Sequence, residues 1–218
     1  MKVAVVASGD LDPADAVWLD DADLVIAADG GAESLDRLGR PPDVIIGDLD
    51  STDEALVRRL AAAGVRVERH PVDKNASDTE LALRAAADAG ADEIVLLGAV
   101  GGDRLDHELA NLLLLADPAL SGRDVRVVHA GNTVRVVGSN GSLALHGGVG
   151  DLVTLLPIGG EATGVTTHGL RWQLDAATLH MGASRGLSNE IVATPASVQL
   201  DSGVLLVVER ARTRGERT

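Results

Sequence analysis

The sequence predicts an α/β fold, an open and mostly parallel sheet with flanking helices, followed by a smaller antiparallel β-sandwich. Three observations carry that prediction. Short Val-, Ile- and Leu-rich runs alternate with Ala- and Leu-rich stretches as far as about Val137, as buried parallel strands and their crossover helices do. Beyond that point come short apolar segments broken by Gly, Pro, Asn and Ser, with no convincing helix. Several runs of the first portion end in turns rich in Asp and Gly; in an open parallel sheet such turns collect along the carboxyl edge, where ligands bind.

In chain order, the first portion is expected to hold strands at Val3 to Ala7, Leu24 to Ala28, Val44 to Ile46, Val65 to Arg69, Ile94 to Leu97 and Val125 to His129. Helices are expected at Asp53 to Ala63, Thr79 to Ala89 and His107 to Leu115, the second capped by Ser77 or Asp78 and ended by Gly90. Right-handed crossovers join strands of this kind. The second portion is expected to hold strands at Leu143 to Leu145, Asp151 to Leu156, Gly164 to Thr167, Thr178 to His180, Glu190 to Thr194, Ser197 to Leu200 and Val204 to Glu209. The expected domains are 1–137 and 138–212, with a frayed tail at 213–218 whose charge begins at Arg210.

Composition narrows the function. A hydrophobic content of 45% over 218 residues is enough to build a core. The net charge of −14 argues against nucleic-acid or anionic-membrane partners, because both are themselves negative. An anionic substrate would then need a metal or local cations. The absence of Cys excludes disulfides and thiolate chemistry. The start, Met1 to Ala7, passes directly into Ser8-Gly9-Asp10 and reads as a first strand, not a signal peptide. No apolar stretch reaches the ~20 residues that span a bilayer, and a cytoplasmic protein is expected. Phe and Tyr are absent, so Trp18 and Trp172 are the aromatic rings other than His.

Four acidic turns are the candidate functional elements. Asp48 and Asp50 follow Val44-Ile45-Ile46, and in an extended turn their carboxylates face one side, where a hard cation can sit. An Asx turn with Ser51 capping the next helix is the competing interpretation. Asp29-Gly30-Gly31 is either a tight turn or a place where backbone amides approach a phosphate. Asp73 to Asp78 sets Lys74 among acids, which suits phosphate oxygens beside carboxylate-held magnesium; the alternative is a loop leading to a capped helix. In Gly101 to His107, Arg104 offers a bidentate fork for phosphate, and Asp106 and His107 offer metal, base or orienting roles. A hydrogen-bonded structural His is the alternative for His107. Together the turns suggest transfer of a phosphoryl or pyrophosphoryl group from a magnesium nucleotide, and the common P-loop and Gly-x-Gly-x-x-Gly cradles are missing.

Taken in order, these segments resemble the thiamine pyrophosphokinase (thiamine diphosphokinase) family. Ala28-Asp29-Gly30-Gly31 is similar to its Ala-Asp-Gly-Gly, Gly47-Asp48-Leu49-Asp50-Ser51 to its Gly-Asp-x-Asp-Ser, and Gly101 to His107 to its Gly-Gly-Arg-x-Asp-His. Lys74 to Glu80 lies where the family has an acid-rich Lys-Asp-x-Thr-Asp segment. Thr166 to Leu174 and Ser184 to Glu190 resemble its thiamine-side motifs. The resemblance implies transfer of a diphosphoryl group from ATP to the hydroxyethyl oxygen of thiamine, giving thiamine diphosphate and AMP. It implies that Asp48, Asp50, Asp78 and Asp106 hold Mg2+ and act in catalysis. Asp29, Gly30, Gly31, Ser51, Lys74, Gly102, Arg104 and His107 would serve the nucleotide, and Trp172, Thr167, Ser188 and Asn189 would serve thiamine. It further implies a nucleotide-binding catalytic first domain, a thiamine-binding second domain, and a homodimer with active sites between subunits, in which Trp172 of the second copy stacks on the pyrimidine ring.

The chain departs from the family pattern at Asn75, where an Asp is usual, at Ser77, where a Thr is usual, and at Asp103, which is an extra residue before Arg104. Two other functions compete. A pyrophosphokinase for another flat alcohol, such as a hydroxymethylpterin, would share the acidic turns, and the segments around Trp172 and Ser188 disfavour it. A non-catalytic nucleotide or thiamine sensor would account for Asn75 and Asp103, and the retention of Asp48, Asp50, Asp78 and Asp106 argues against it.

Overall fold

The computed structural model describes residues 1–50 and 52–212; Ser51 and the expected tail at 213–218 lie outside the described residues. The chain divides between Ala130 and Gly131 into two units.

The first unit is built on six parallel strands, β1 (Lys2–Val6), β2 (Leu24–Ala28), β3 (Val44–Gly47), β4 (Arg66–Arg69), β5 (Glu93–Leu97) and β6 (Asp124–His129), in the order β6-β5-β1-β2-β3-β4. Strands covered on both faces need apolar residues at every position, and Val3 to Val6 of β1 are all fully buried. Four helices flank them: α1 (Gly31–Arg37), α2 (Glu54–Ala62), α3 (Asp78–Asp88) and α4 (Leu105–Leu113). Leu35 of α1 and Leu56, Val57 and Leu60 of α2 pack with Ala4, Val6, Ile45, Val95 and Leu97 into one core. Alternation along β1 turns Val3 and Val5 the other way, and α3 packs against β1, β2 and β3 with Ala82, Leu83 and Ala86 buried.

The local signals for α3 work as expected: Ser77 is its N-cap, with Oγ accepting from Glu80 N at 3.1 Å, and Gly90 takes φ +86° just past its end. α2 is capped by Asp53, which accepts from Ala55 N at 2.8 Å. α1 was not foreseen, because it is short and opens on a Gly pair that reads as a turn. A Cβ on Gly31 would lie 2.0 Å from the carbonyl oxygen of Val6, so the helix rests directly on β1.

The second unit is antiparallel. One sheet has the order β12-β9-β14-β7, formed by β7 (Asn132–Gly138), β9 (Leu152–Pro157), β12 (Asn189–Glu190) and β14 (Val204–Arg210). The other has the order β11-β10-β13-β8, formed by β8 (Gly141–Leu145), β10 (Ala162–His168), β11 (Ala177–Leu179) and β13 (Ala196–Leu200). Val153, Leu155, Val165, Leu170, Ile191, Val198, Leu205 and Val207 form its core.

Three details differ from the sequence reading. Residues 132–138 form β7, paired along its whole length with β14. The strand expected at Glu190 to Thr194 stops at Glu190, because Val192 and Ala193 both donate to Gly169 O as the chain turns. The charged end is held at its start: Arg210 pairs with Asn132 and Leu152, Ala211 N donates to Gly131 O, and Arg212 N donates to Asp151 Oδ1.

Candidate active site

Three of the acidic turns meet at the carboxyl ends of β2, β3 and β4. Asp29 ends β2 with φ 46°, a left-handed conformation that costs energy in a residue with a Cβ, and its N–H donates to Ile46 O. In the turn after β3, Leu49 also has φ 61° and is buried in the core. On either side of that buried side chain, Asp48 meets Lys74 and Asp50 is exposed. A Cβ on Gly47 would lie 3.3 Å from both the Asp29 backbone and the Asp78 carboxyl carbon, so this position packs between the two acids.

Lys74 is the centre of the cluster. Its Nζ lies 3.1 Å from Asp48 Oδ2 and 3.0 Å from Asp78 Oδ1, with the Lys74 and Asp48 side chains each 14% exposed and that of Asp78 20%. Burial alone would lower the Lys74 pKa, but the two carboxylates outweigh it and the net shift is upward. The Lys74 hydrogen bond in turn lowers the Asp48 pKa. Asp50 moves the opposite way: the neighbouring Asp48 carboxylate raises its pKa, with burial, Asp29 and Asp78 adding to the effect. Two adjacent carboxyls are thus driven apart, one held ionised and one made more basic.

Thr52, which the sequence reading passed over, is buried and donates from Oγ1 to Asp29 Oδ1 at 2.8 Å. A buried hydroxyl two residues before a helix has no sequence signal distinct from a capping Thr. Asn75 is exposed and Ser77 is occupied with its cap.

The fourth turn stands apart. β5 is three strand positions from β3, roughly 14 Å at ordinary strand spacing. There Arg104 grips Asp106 with both ends of its fork, Nε to Oδ1 at 3.0 Å and Nη2 to Oδ2 at 2.7 Å, and Arg104 brings the Asp106 pKa down to about 2. Gly102 and His107 are exposed beside them. Gly101 has φ +85°, and a Cβ on it would meet Asp10 at 2.9 Å and His129 at 3.1 Å. Buried Asn111 of α4, another residue sequence reasoning missed, donates to Ala99 O and anchors the loop.

Among the described residues, no three Asp, Glu or His side chains already converge as a metal cage. The donor set still fits a hard cation. Asp78 Oδ1 is buried, lies 3.0 Å from Lys74 Nζ as an ion pair, and has no well-directed hydrogen-bond donor. Magnesium is commonly held by one or two carboxylates together with substrate phosphates and water, and needs no complete protein cage.

In the second unit an open cleft of about 520 Å³ is lined by Leu155, Trp172, Leu174, Arg185 and the 186–189 turn. Trp172 is 60% exposed, with the Arg171 guanidinium 5.9 Å from its ring centre. Ser188 lines the cleft with φ 55°, its N–H donating to Thr154 Oγ1. Gly186 lies so close to β9 that a Cβ would come 2.1 Å from Leu155 O. Thr167 is 1% exposed, its Oγ1 accepts from Leu174 N, and it does not line the cleft. Asn189 is buried, with both ends of its amide bonded to the Trp172 main chain.

A parallel sheet that gathers carboxylates and a lysine at its carboxyl edge, in a chain that also carries an antiparallel unit with an aromatic-lined cleft, defines a two-unit group-transfer enzyme handling phosphate. Residues 16–128 match the model of the thiamin pyrophosphokinase catalytic domain, and residues 143–205 match that of the thiamin pyrophosphokinase vitamin B1 binding domain. The chain belongs to the thiamin pyrophosphokinase family. It is 24% identical to the thiamine pyrophosphokinase of Bacillus subtilis over 191 residues, 88% of this chain and 89% of that one. It is 27% identical to thiamine pyrophosphokinase 1 of Oryza sativa subsp. japonica over 218 aligned positions, 88% of this chain and 80% of that one. The crystal structure of the Bacillus subtilis enzyme superposes with a TM-score of 0.86 at 25% identity, covering 98% of this chain and all of that one.

Proposed function

We propose that the chain transfers the diphosphoryl group of ATP to the hydroxyethyl oxygen of thiamine, releasing AMP and thiamine diphosphate. The observation that carries this reading is Lys74 set between Asp48 and Asp78 beside the more basic Asp50, in a chain whose family is defined by both a catalytic and a vitamin B1 binding domain. The first domain is assigned to ATP and the second to thiamine. The hydroxymethylpterin and sensor alternatives have no observation in their favour.

Asp48 and Asp78 are assigned to a divalent cation, taken as Mg2+, which when bound would neutralise phosphate charge and align the chain for in-line displacement, while Asp50 is left free of it. Lys74 is positioned to move from its carboxylates to incoming phosphate oxygens. Asp50 is the best placed proton acceptor for the thiamine hydroxyl, because its raised pKa makes it the stronger base of the pair. Asp29, held by Thr52, shapes the pocket with Gly30 and Gly31. Arg104 and Asp106, with Gly102 and His107, are assigned to the far end of the triphosphate; Arg104 would exchange Asp106 for a phosphate. Catalysis then comes mainly from positioning and charge neutralisation.

Trp172 offers an exposed π face suited to a cationic, flat ligand, and Ser188 lies within reach of it on the rim. A homodimer is part of the proposal, with Trp172 supplied by the second copy. Its support is the exposed stripe of Leu105, Leu109 and Leu113, four residues apart on α4. Among the described residues no helix is long and apolar enough to cross a membrane; a cytoplasmic location, where ATP is available, completes the proposal.

Phosphorus NMR of the purified protein with ATP, magnesium and thiamine, beside a control without thiamine, tests it. Thiamine-dependent AMP and thiamine diphosphate are expected. ADP with inorganic phosphate, or no turnover, would overturn the reading.

A further inference from the structure

We infer that Asn189 is a positioning residue for thiamine, acting through the main chain of Trp172 and not by touching the pyrimidine ring. This deepens the assignment of the Trp172 cleft to thiamine and rests on it. Oδ1 of Asn189 accepts from Trp172 N at 3.1 Å and from Glu190 N at 2.9 Å, and Nδ2 donates to Trp172 O at 2.7 Å. Both lone pairs of the amide oxygen are therefore engaged, on a side chain belonging to a buried residue.

The pattern has a physical meaning. A side-chain amide that bonds both the N–H and the C=O of one residue substitutes for a neighbouring strand. The backbone just before Trp172 and just after Asn189 carries the same pairing: Arg171 N donates to Glu190 O at 2.8 Å, and Leu170 bridges Ile191. Arg171 and Glu190 also form an ion pair at 3.1 Å. Asn189 thus extends this short ladder by one residue, to the point where the chain would otherwise leave it. The indole itself is mostly exposed, so its placement depends on how firmly its backbone is held. An aromatic platform ordered before the ligand arrives loses less entropy on binding.

The test uses full-length protein carrying Trp18→Phe, so that Trp172 is the sole indole. Asn189→Ala is expected to raise the KM for thiamine about tenfold, the cost of one side chain left mobile, with the KM for ATP unchanged. Without thiamine, the fluorescence anisotropy of Trp172 should fall. The double variant Asn189→Ala with Trp172→Ala should bind thiamine no worse than Trp172→Ala alone, because both act through one platform. If the two effects multiply, or Trp172 anisotropy is unchanged, Asn189 is a direct ligand contact and the inference is wrong. If Asn189→Ala does not fold, Asn189→Asp takes its place: it keeps the acceptor and removes the donor to Trp172 O, and the same comparisons decide. Loss of thiamine turnover in the parent protein would count against the proposed function, and anisotropy would still decide whether Asn189 holds Trp172.

Discussion

Lys74 supplies the counter-charge between two acids that would otherwise repel each other, and most of the chemistry of the first unit depends on that. Replacing it by Met leaves Asp48 and Asp78 facing each other without a counter-charge and removes a phosphate contact. The kcat/KM should fall by ~10²–10³, the usual loss when one preorganised charge donor is deleted, measured with saturating magnesium. The pH dependence follows from the opposed shifts of the neighbouring acids. Asp50 has a raised pKa, so as pH falls it is protonated earlier than an ordinary Asp at about 3.9, and the base is lost there. The acid limb of the kcat/KM profile should therefore lie above that value, and Asp50→Asn should abolish the limb along with most of the rate. Asp48 has a lowered pKa; its contribution to stability is complete above about pH 3.9 and is lost as pH falls through its lower folded-state value. Trp172 is exposed, so Trp172→Ala should leave the thermal midpoint nearly unchanged and raise the KM for thiamine ~10- to 30-fold, the worth of a desolvated cation–π contact.

At the scale of elements, short approaches between backbone segments hold the turns in place. α1 touches β1 through Gly31, and the 184–188 turn touches β9 through Gly186. Gly31→Ala forces the helix off Val6 and should cost about 2–3 kcal/mol, as overpacking in a closed core does, read by denaturant unfolding. Gly186→Ala pushes the rim turn away from Leu155, on which the cleft is built. Its effect should be concentrated in thiamine binding, with ATP binding in the first unit unaltered; isothermal titration with each ligand separates the two.

For the whole molecule, the net charge of −14 places phosphate chemistry on a protein that repels phosphate at long range. Lys74 and Arg104 are the cations at the acidic turns that can offset this locally, which is why a divalent cation belongs in the proposal. If active sites are shared between copies, Lys74→Met and Trp172→Ala variants, each strongly impaired when assayed at thiamine concentrations well below KM, should complement each other. Mixing them under conditions that exchange subunits should restore about a quarter of the parent activity, because half of the dimers are mixed and each of those has one intact site. Leu109→Lys, placed in the exposed stripe of α4, should dissociate the dimer in sedimentation velocity and abolish that recovery.

How much of this was legible in the residues depended on the range of the signal. Val3 to Val6 is apolar at every position, and Ser77 with Gly90 marks both ends of α3, because strand burial and helix capping act over a few residues. The alternation of such local signals was enough for the two architectures, and the order of the acidic turns was enough for the family. α1 and β7 escaped, the first because Gly30-Gly31 reads as a turn, the second because its partner, β14, lies far along the chain. Ser51, expected to cap or to bind, lies outside the described residues. The division of labour within the site needed tertiary structure. That the Asp48 pKa is lowered follows from where Lys74 falls, 26 residues downstream, and that the Asp50 pKa is raised follows from Asp48 beside it; that Thr167 is buried and Asn189 committed to Trp172 follows from contacts across strands. Which residue types are present, and in what order, was determined by the sequence alone. Which carboxylate has the lower pKa and which amide is already engaged were decided by folding, because charge and hydrogen bonding depend on distance in space.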